Sequence, residues 1–428
     1  MRTVRQWVDE TAGGLPRQFW YLWGTTLVNR IGSFVLVVLA LYLTQERGFS
    51  ESYAGLVIGL WGAGGAIGTL IGGVLADRWG RKPTYLAALF GGATMMLVVG
   101  FTRGQAAITV TVFLLGLVSE AARPAGVALM IDVVPERDRM RAFSLNYWVI
   151  NVGFAVSAFL AGMVASVDFR LLFVIDAATT VAAATLIVFA IKEPVRHRTA
   201  HVPHARGGLR TVFADRVFMA FVGVNLLTSL IFMQHLSSLP LSMSRDGLPA
   251  STYGTVIALN GVLIVAGQLF VPRLLRGRSH ASSLAVAAVV FGVGFGLTAF
   301  ADTAILYALT VLVWTAGEML NSPSNSATNA ALSPAHLRGR YQGVFSLSWS
   351  AASFLAPIIG GAALQYAGAA TLWLGCLGLA LVVAVIHLLA GPARERRAAE
   401  LSEAPLAPVQ PAPTSPPATE AEPAAALA

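Results

Sequence analysis

The chain has 428 residues, of which 56% are hydrophobic and only 12% charged, with a mean hydropathy of +0.69 and a formal net charge of +8. A soluble globular chain carries about 25% charged residues, so a water-soluble core does not account for this composition, and lipid is the better solvent for the surface. The basic excess does not imply nucleic acid, because the positive residues sit in short loops between apolar runs.

Residues 1–18 read as a short N-terminal segment. Asp9 and Glu10 interrupt it and no small-residue cleavage site follows, so a cleavable signal peptide is not expected. Six apolar runs come next, at about 19–44, 51–76, 83–102, 105–134, 140–167 and 169–191. Each exceeds a barrel strand of about 10 residues and suits a spanning helix of about 20. The first run holds Asn29 and Arg30; the guanidinium is read as binding an anionic group or pairing with Glu120 or Asp176. The second carries Gly64, Gly68 and Gly72, a stripe for close helix packing.

Between the second and third runs stands Gly73-Val-Leu-Ala-Asp77-Arg78-Trp-Gly80-Arg81-Lys82-Pro83. Here Gly73 is expected to allow close helix approach and Gly80 a sharp turn. Asp77 is expected to accept hydrogen bonds from a neighbouring helix N-terminus, or to pair with Arg81 or Arg78. The fourth run holds Glu120 and Arg123, three apart and able to pair on one face. Asp132 at its end is expected to pair with Arg139 or Arg141. The fifth contains Asn146, Tyr147 and Trp148, then Asn151-x-Gly153-x-x-x-Ser157-Ala158-x-x-Ala161-Gly162. Asp176 of the sixth is read as a helix–helix hydrogen bond.

A basic segment, 192–215, divides the runs six and six and reads as a solvated linker resting on anionic lipid. The second six lie at about 216–244, 250–275, 281–301, 304–333, 339–367 and 369–391. Residues 392–428, rich in Ala, Pro and Glu, are expected to be disordered. Gln234, His235, Asn260, Asn321 and Asn325 join Asn29, Arg30, Asn146 and Trp148 as candidate cavity residues, although each also suits an interhelical contact. Glu318 lies well inside the tenth run. A carboxylate at membrane depth costs several kcal/mol unless paired or protonated, which suits it to carry a proton.

Of the 29 Lys and Arg residues, 23 fall on one set of loops and termini, and only Arg47, Arg103, Arg170 and Arg245 fall on the other. That bias predicts both termini in the cytoplasm. The halves 19–191 and 216–391 also repeat. Pro135-x-x-x-Arg139-x-Arg141 is echoed by Pro334-x-x-x-Arg338-x-Arg340, and Glu120-x-x-Arg123-Pro124 by Glu318-x-x-Asn321-Ser-Pro323. Duplicated six-helix units place a solute path between them near the bilayer midplane.

The G-x-x-x-D-R-x-G-R-K pattern at 73–82 resembles the signature loop of the major facilitator superfamily. Residues 17–392 resemble its twelve-helix bacterial drug:proton antiporters. The resemblance implies an all-α integral membrane protein with two pseudo-symmetric six-helix bundles. It implies a gating role for Gly73, Asp77, Arg78, Gly80 and Arg81, and proton coupling by Glu318 with Glu120 and Arg123. The fifth run departs from the antiporter pattern, with Ser157-Ala158 in place of Gly-Pro, so the direction of transport stays open. The expected function is proton-coupled export of drugs or other small amphipathic molecules, by a functional monomer in the bacterial cytoplasmic membrane. The alternatives are a proton-linked importer or lipid or anionic-solute transporter, which Arg30 and Arg123 would suit, and a receptor that no longer transports. Small molecules, protons and the bilayer are the expected partners. The chain lacks G-x-x-x-x-G-K-[ST], H-E-x-x-H and G-x-S-x-G, so no ATP drive, cofactor, metal or enzymatic activity is expected.

Overall fold

A computed structural model describes residues 13–191, 209–268 and 270–403. Twelve helical spans are long and apolar enough to cross a membrane: α1 Arg17–Glu46, α2 Glu51–Arg78, α3 Arg81–Phe101, α4 Gln105–Val133, α5 Glu136–Ala165, α6 Phe169–Ala190, α7 Arg216–Arg245, α8 Ala250–Gly267, α9 His280–Phe300, α10 Ala304–Ala331, α11 Arg338–Ala367 and α12 Ala369–Leu389. Among the described residues there is no strand. The boundaries follow the apolar runs to within a few residues except in α8, where the continuous helix stops at Gly267 and a separate turn, Val271–Leu274, follows.

The spans form two six-helix bundles, α1–α6 and α7–α12. Of the connecting segment, residues 192–208 lie outside the described residues. Leu209–Ala214 form a short helix within the expected linker, and Asp215 then caps α7, its Oδ1 accepting from Phe218 N at 3.0 Å. The C-terminal end also differs from expectation. Residues Gly391–Glu403 form a helix, because Ala, Arg and Glu are strong helix formers and two arginines anchor it to the second bundle. Arg397 reaches Asp215 at 3.2 Å. Arg394 donates to His387 O at 2.7 Å, and burial lowers its pKa. The rest of the expected disordered tail, 404–428, lies outside the described residues.

Glycine determines where the bundles touch. A Cβ on Gly59 would meet Phe354 O at 2.5 Å, and one on Gly62 would meet Ser353 O at 2.6 Å, so α2 and α11 approach backbone to backbone. The same holds for α5 and α8, where a Cβ on Gly162 would meet Ala250 O at 2.6 Å. These contacts lie toward the face opposite the arginine-rich loops. There Gln45 Nε2 donates to Ser244 Oγ at 2.8 Å, Ser52 N donates to Gln365 Oε1 at 3.0 Å, and Arg245 binds Glu51. Helix α2 carries a second glycine row, Gly64, Gly68 and Gly72, which meets the backbone of α4 within its own bundle. The two bundles are therefore joined toward the arginine-poor face.

The first span is broken between Arg17–Ile31 and Val35–Leu41. Irregular backbone at membrane depth needs protein partners for its polar groups, and later spans supply them. Asp176 Oδ2 of α6 accepts from Val35 N at 3.2 Å, and Ser157 Oγ of α5 donates to Ser33 O at 2.8 Å. Gly32 leaves room for Thr179, whose hydroxyl occupies the place of a Cβ.

Candidate functional site

Three adjoining cavities run through the centre. The first, about 300 Å³, lies within α1–α6 and includes Asn29, Arg30, Glu120, Arg123, Asn146 and Asp176. The second, about 340 Å³, lies largely within α7–α12 and includes Phe232, Glu318, Asn321, Asn325 and Trp349, with Tyr147 and Asn151 reaching in from α5. The third, about 230 Å³, joins them across the interface. It shares Arg30 with the first and Glu318 with the second, and adds His235 and Asn260. Ile150 borders all three.

Glu318 sits on α10, and its carboxylate Oε2 accepts from Asn260 Nδ2 of α8 at 2.7 Å. The same amide reaches Thr315 Oγ1 at 3.1 Å, one turn before Glu318. Among the described residues no cation comes within 4.0 Å of Glu318. His235 shares the cavity but is otherwise engaged. Its Nδ1 lies 2.5 Å from Phe232 O, and its ring packs between Phe232 and Trp314. Asn325 Nδ2 donates to Asn225 Oδ1 at 2.7 Å, and Asn225 donates to Ser348 Oγ at 2.6 Å. Asn321 lines the second cavity.

In the first bundle, Glu120 Oε2 and Arg123 Nη2 pair at 2.7 Å on the helix face that their spacing predicts. Arg30 makes no ion pair with a described residue, although Glu120 and Asp176 lie within electrostatic range of it. Gly153 makes room for it, since a Cβ there would lie 2.5 Å from Arg30 Cβ. Asn29 Nδ2 donates to Thr180 Oγ1 at 3.0 Å, whereas the buried Asn146 Oδ1 has no hydrogen-bond partner among the described residues.

Two cavity candidates lie elsewhere. Trp148 is 44% exposed and lines none of the three cavities. The inward face of α5 runs through Asn146, Tyr147, Ile150, Asn151 and Phe154, and a residue at 148 is rotated off that stripe. Gln234 is buried against α11 instead, its Nε2 donating to Ala356 O at 3.0 Å and its Oε1 accepting from Ser238 at 2.6 Å. Gly73 also differs from expectation. A Cβ there would meet nothing within 4 Å, and the close approach to α4 is made by Gly72. The group that sequence reading missed is the Glu51–Arg245 pair. Its signal was available, because Arg245 is one of only four basic residues on its face.

A family model described as Major Facilitator Superfamily matches residues 22–357. The chain belongs to the major facilitator superfamily. Among its relatives, an uncharacterised superfamily transporter of Bacillus subtilis, YqjV, is 26% identical over 361 residues, covering 81% of this chain and 86% of that protein. The multidrug resistance protein MdtH of Aeromonas hydrophila is 24% identical over 360 residues, 81% of this chain and 88% of its own. A Na(+), Li(+), K(+)/H(+) antiporter of Planococcus maritimus is 23% identical over 369 residues, 78% and 86%. Two solved structures share the fold. The nucleoside transporter NupG has a TM-score of 0.75 at 16% identity over 87% of this chain and 99% of that chain. The peptide-family transporter PepTSo has a TM-score of 0.75 at 15% identity over 89% and 99%.

The superfamily signature loop is anchored within its own bundle. Gly80 adopts φ 118°, a left-handed value that glycine tolerates and that turns the chain from α2 into α3. Arg81 pairs with Asp132 at the end of α4, in place of the expected Arg139 or Arg141, and also reaches Ala128 O at 3.3 Å. Arg139 instead donates to Ile131 O at 3.3 Å, and Arg141 to Asp138 at 3.1 Å. The reason is geometric. The turn at Gly80 brings the start of α3 beside the end of α4, while at the start of α5 Arg139 reaches a backbone carbonyl of α4 and Arg141 the acid of its own leading turn. Lys82 Nζ caps α6, at 2.6 Å from Ile191 O. Asp77 is exposed, and no described residue donates to or pairs with its carboxylate.

Proposed function

We propose that this superfamily transporter is proton-coupled and exports small amphipathic molecules, drugs among them, by alternating access. The observation that carries the reading is Glu318, a carboxylate facing two of the three central cavities with a neutral amide for a partner and no cation in reach among the described residues. Ionised carboxylate at that depth is costly, so proton loading and release at Glu318 accompany passage between states that face opposite compartments. One proton moved through 100 mV supplies about 2.3 kcal/mol. Glu120 and Arg123, paired in the adjoining cavity, pass the proton or adjust its release.

The positive-inside bias assigns the arginine-rich face, and both termini, to the cytoplasm of a bacterial cytoplasmic membrane. In that assignment the α2–α11 and α5–α8 contacts close the molecule outward. Asp77 is the signature-loop charge that its own bundle leaves unused, which supports a role in closing the cytoplasmic face by capping a helix of the other bundle. The complete path lies within one chain, in keeping with a functional monomer. A second reading, uptake or transport of an anionic solute, draws on Arg30, a cavity cation without an ion-pair partner among the described residues.

Proteoliposome flux tests the reading. An imposed pH gradient is expected to drive ethidium export in the wild type, and Glu318→Gln to abolish that coupling. Unchanged coupling in Glu318→Gln removes the proton assignment. Transport of one sugar, peptide or lipid with no drug moved removes the export reading.

A further inference from the structure

The third cavity is bounded by opposite charges held on opposite bundles. Arg30 lines it from α1 and Glu318 from α10. The remaining charges at this depth are matched locally. Glu120 is bound by Arg123 at 2.7 Å. Asp176 accepts from Val35 N at 3.2 Å, the first amide of the outer half of α1, where the helix dipole is positive. Ser33 and Ser157 are engaged with each other, and His235 with Phe232 O. Among the described residues Arg30 has no carboxylate within 4.0 Å, and Glu318 has a neutral amide in place of a cation. One cation and one anion, each without an opposite charge among the described residues, therefore face a shared space that the rings of Phe154 and Phe232 also line.

Resting on the export reading above, we infer that the substrates are amphoteric: small aromatic molecules carrying an anionic group for Arg30 and a protonated amine for Glu318. Complementarity works here by exclusion as much as by attraction. A monocation gains Glu318 but faces Arg30 without a counter-charge. A monoanion gains Arg30 and faces Glu318. A dipolar solute satisfies both, and its amine competes with the proton for the same carboxylate, which makes occupancy by proton and substrate mutually exclusive.

The test uses proteoliposomes with an imposed pH gradient and three fluorescent probes: norfloxacin, which carries a carboxylate and an amine; its ethyl ester, which keeps only the amine; and ethidium, a permanent cation. Wild-type protein is expected to move norfloxacin at least about tenfold faster than the ester. Arg30→Gln is expected to erase that preference while still moving the ester, and Arg30→Lys to keep most of it. Wild-type transport of the ester at a rate equal to or above that of norfloxacin overturns the inference, as does an Arg30→Gln protein that keeps the preference. Gradient-driven ethidium with no norfloxacin transport overturns the amphoteric class and leaves the export reading standing. No transport of any probe by the wild type removes the export reading, and this inference with it. If Arg30→Gln moves none of the three, binding to solubilised wild-type protein decides. A norfloxacin Kd at least about tenfold below that of the ester supports the inference, and equal values overturn it.

Discussion

Arg245 grips Glu51 through two parallel hydrogen bonds, Nε to Oε1 at 2.6 Å and Nη2 to Oε2 at 2.5 Å, tying α7 to α2 across the junction of the two bundles. The paired geometry is the strong form of a carboxylate–guanidinium contact. The arginine side chain is 39% exposed, so the pair is worth about 0.2–1 kcal/mol, as for surface ion pairs. That is enough to shift a balance between two conformations a few-fold. Glu51→Gln is expected to raise the population open at the arginine-poor face, read by spin-label distances between positions 52 and 365. The exchange Glu51→Arg with Arg245→Glu is expected to restore it. An unchanged distance distribution in Glu51→Gln would show that the pair does not hold this face closed.

A packed and an unpacked glycine of α2 predict opposite outcomes on substitution. Gly62→Val drives its side chain into the backbone of Ser353 and Phe354. It is expected to block closure against α11 and to cut transport by about tenfold or more, equivalent to roughly 1.4 kcal/mol. Gly73→Ala enters open space and is expected to change stability by less than about 0.5 kcal/mol, as for an unconstrained surface site. Flux and apparent Tm, measured on both variants, check the contrast.

Ser157→Ala leaves the Ser33 carbonyl without its donor at the break in α1. An unsatisfied buried polar group costs about 1–3 kcal/mol, so a clear fall in apparent Tm is expected. Ser157→Thr, which keeps the hydroxyl, is expected to cost less. Equal Tm values for wild type and Ser157→Ala would mean that the carbonyl finds another partner.

Arg81 and Asp77 stand four positions apart in the same loop yet should fail differently. Arg81→Ala and Asp132→Ala each break one ion pair inside the first bundle and should be non-additive in a double-mutant cycle. Asp77→Asn touches no described partner. It is expected to leave apparent Tm and ligand binding near wild type while slowing turnover. Wild-type turnover in Asp77→Asn would remove the cytoplasmic latch from the mechanism.

The sequence showed most of the architecture because lipid imposes a simple rule: every span must be long and apolar. The charge at Glu318 and the Glu120–Arg123 spacing were legible for the same reason, since polar residues stand out in such a background. What escaped was rotational and pairwise. Trp148 and Tyr147 are adjacent in sequence, and only helix phase decides which of them faces the cavity. Gly72 and Gly73 are equally small, and only the position of α4 distinguishes them. Asp132 had two nearby arginines, but the turn at Gly80 delivers a third from 51 positions earlier. Gln234 looked like a cavity residue because no local pattern reveals the carbonyl of Ala356 opposite it.

The break in α1 also constrains how the protein is made. Its partners, Ser157 and Asp176, are encoded 124 and 141 residues downstream of the groups they bind. At about 5–20 residues per second of synthesis, the first span waits on the order of ten seconds with Arg30 and with backbone polar groups whose partners are not yet made. Such a segment is a poor resident of free lipid. It has to be retained beside the insertion machinery until the fifth and sixth spans emerge, so the first bundle is released into the membrane as a unit, six helices at a time.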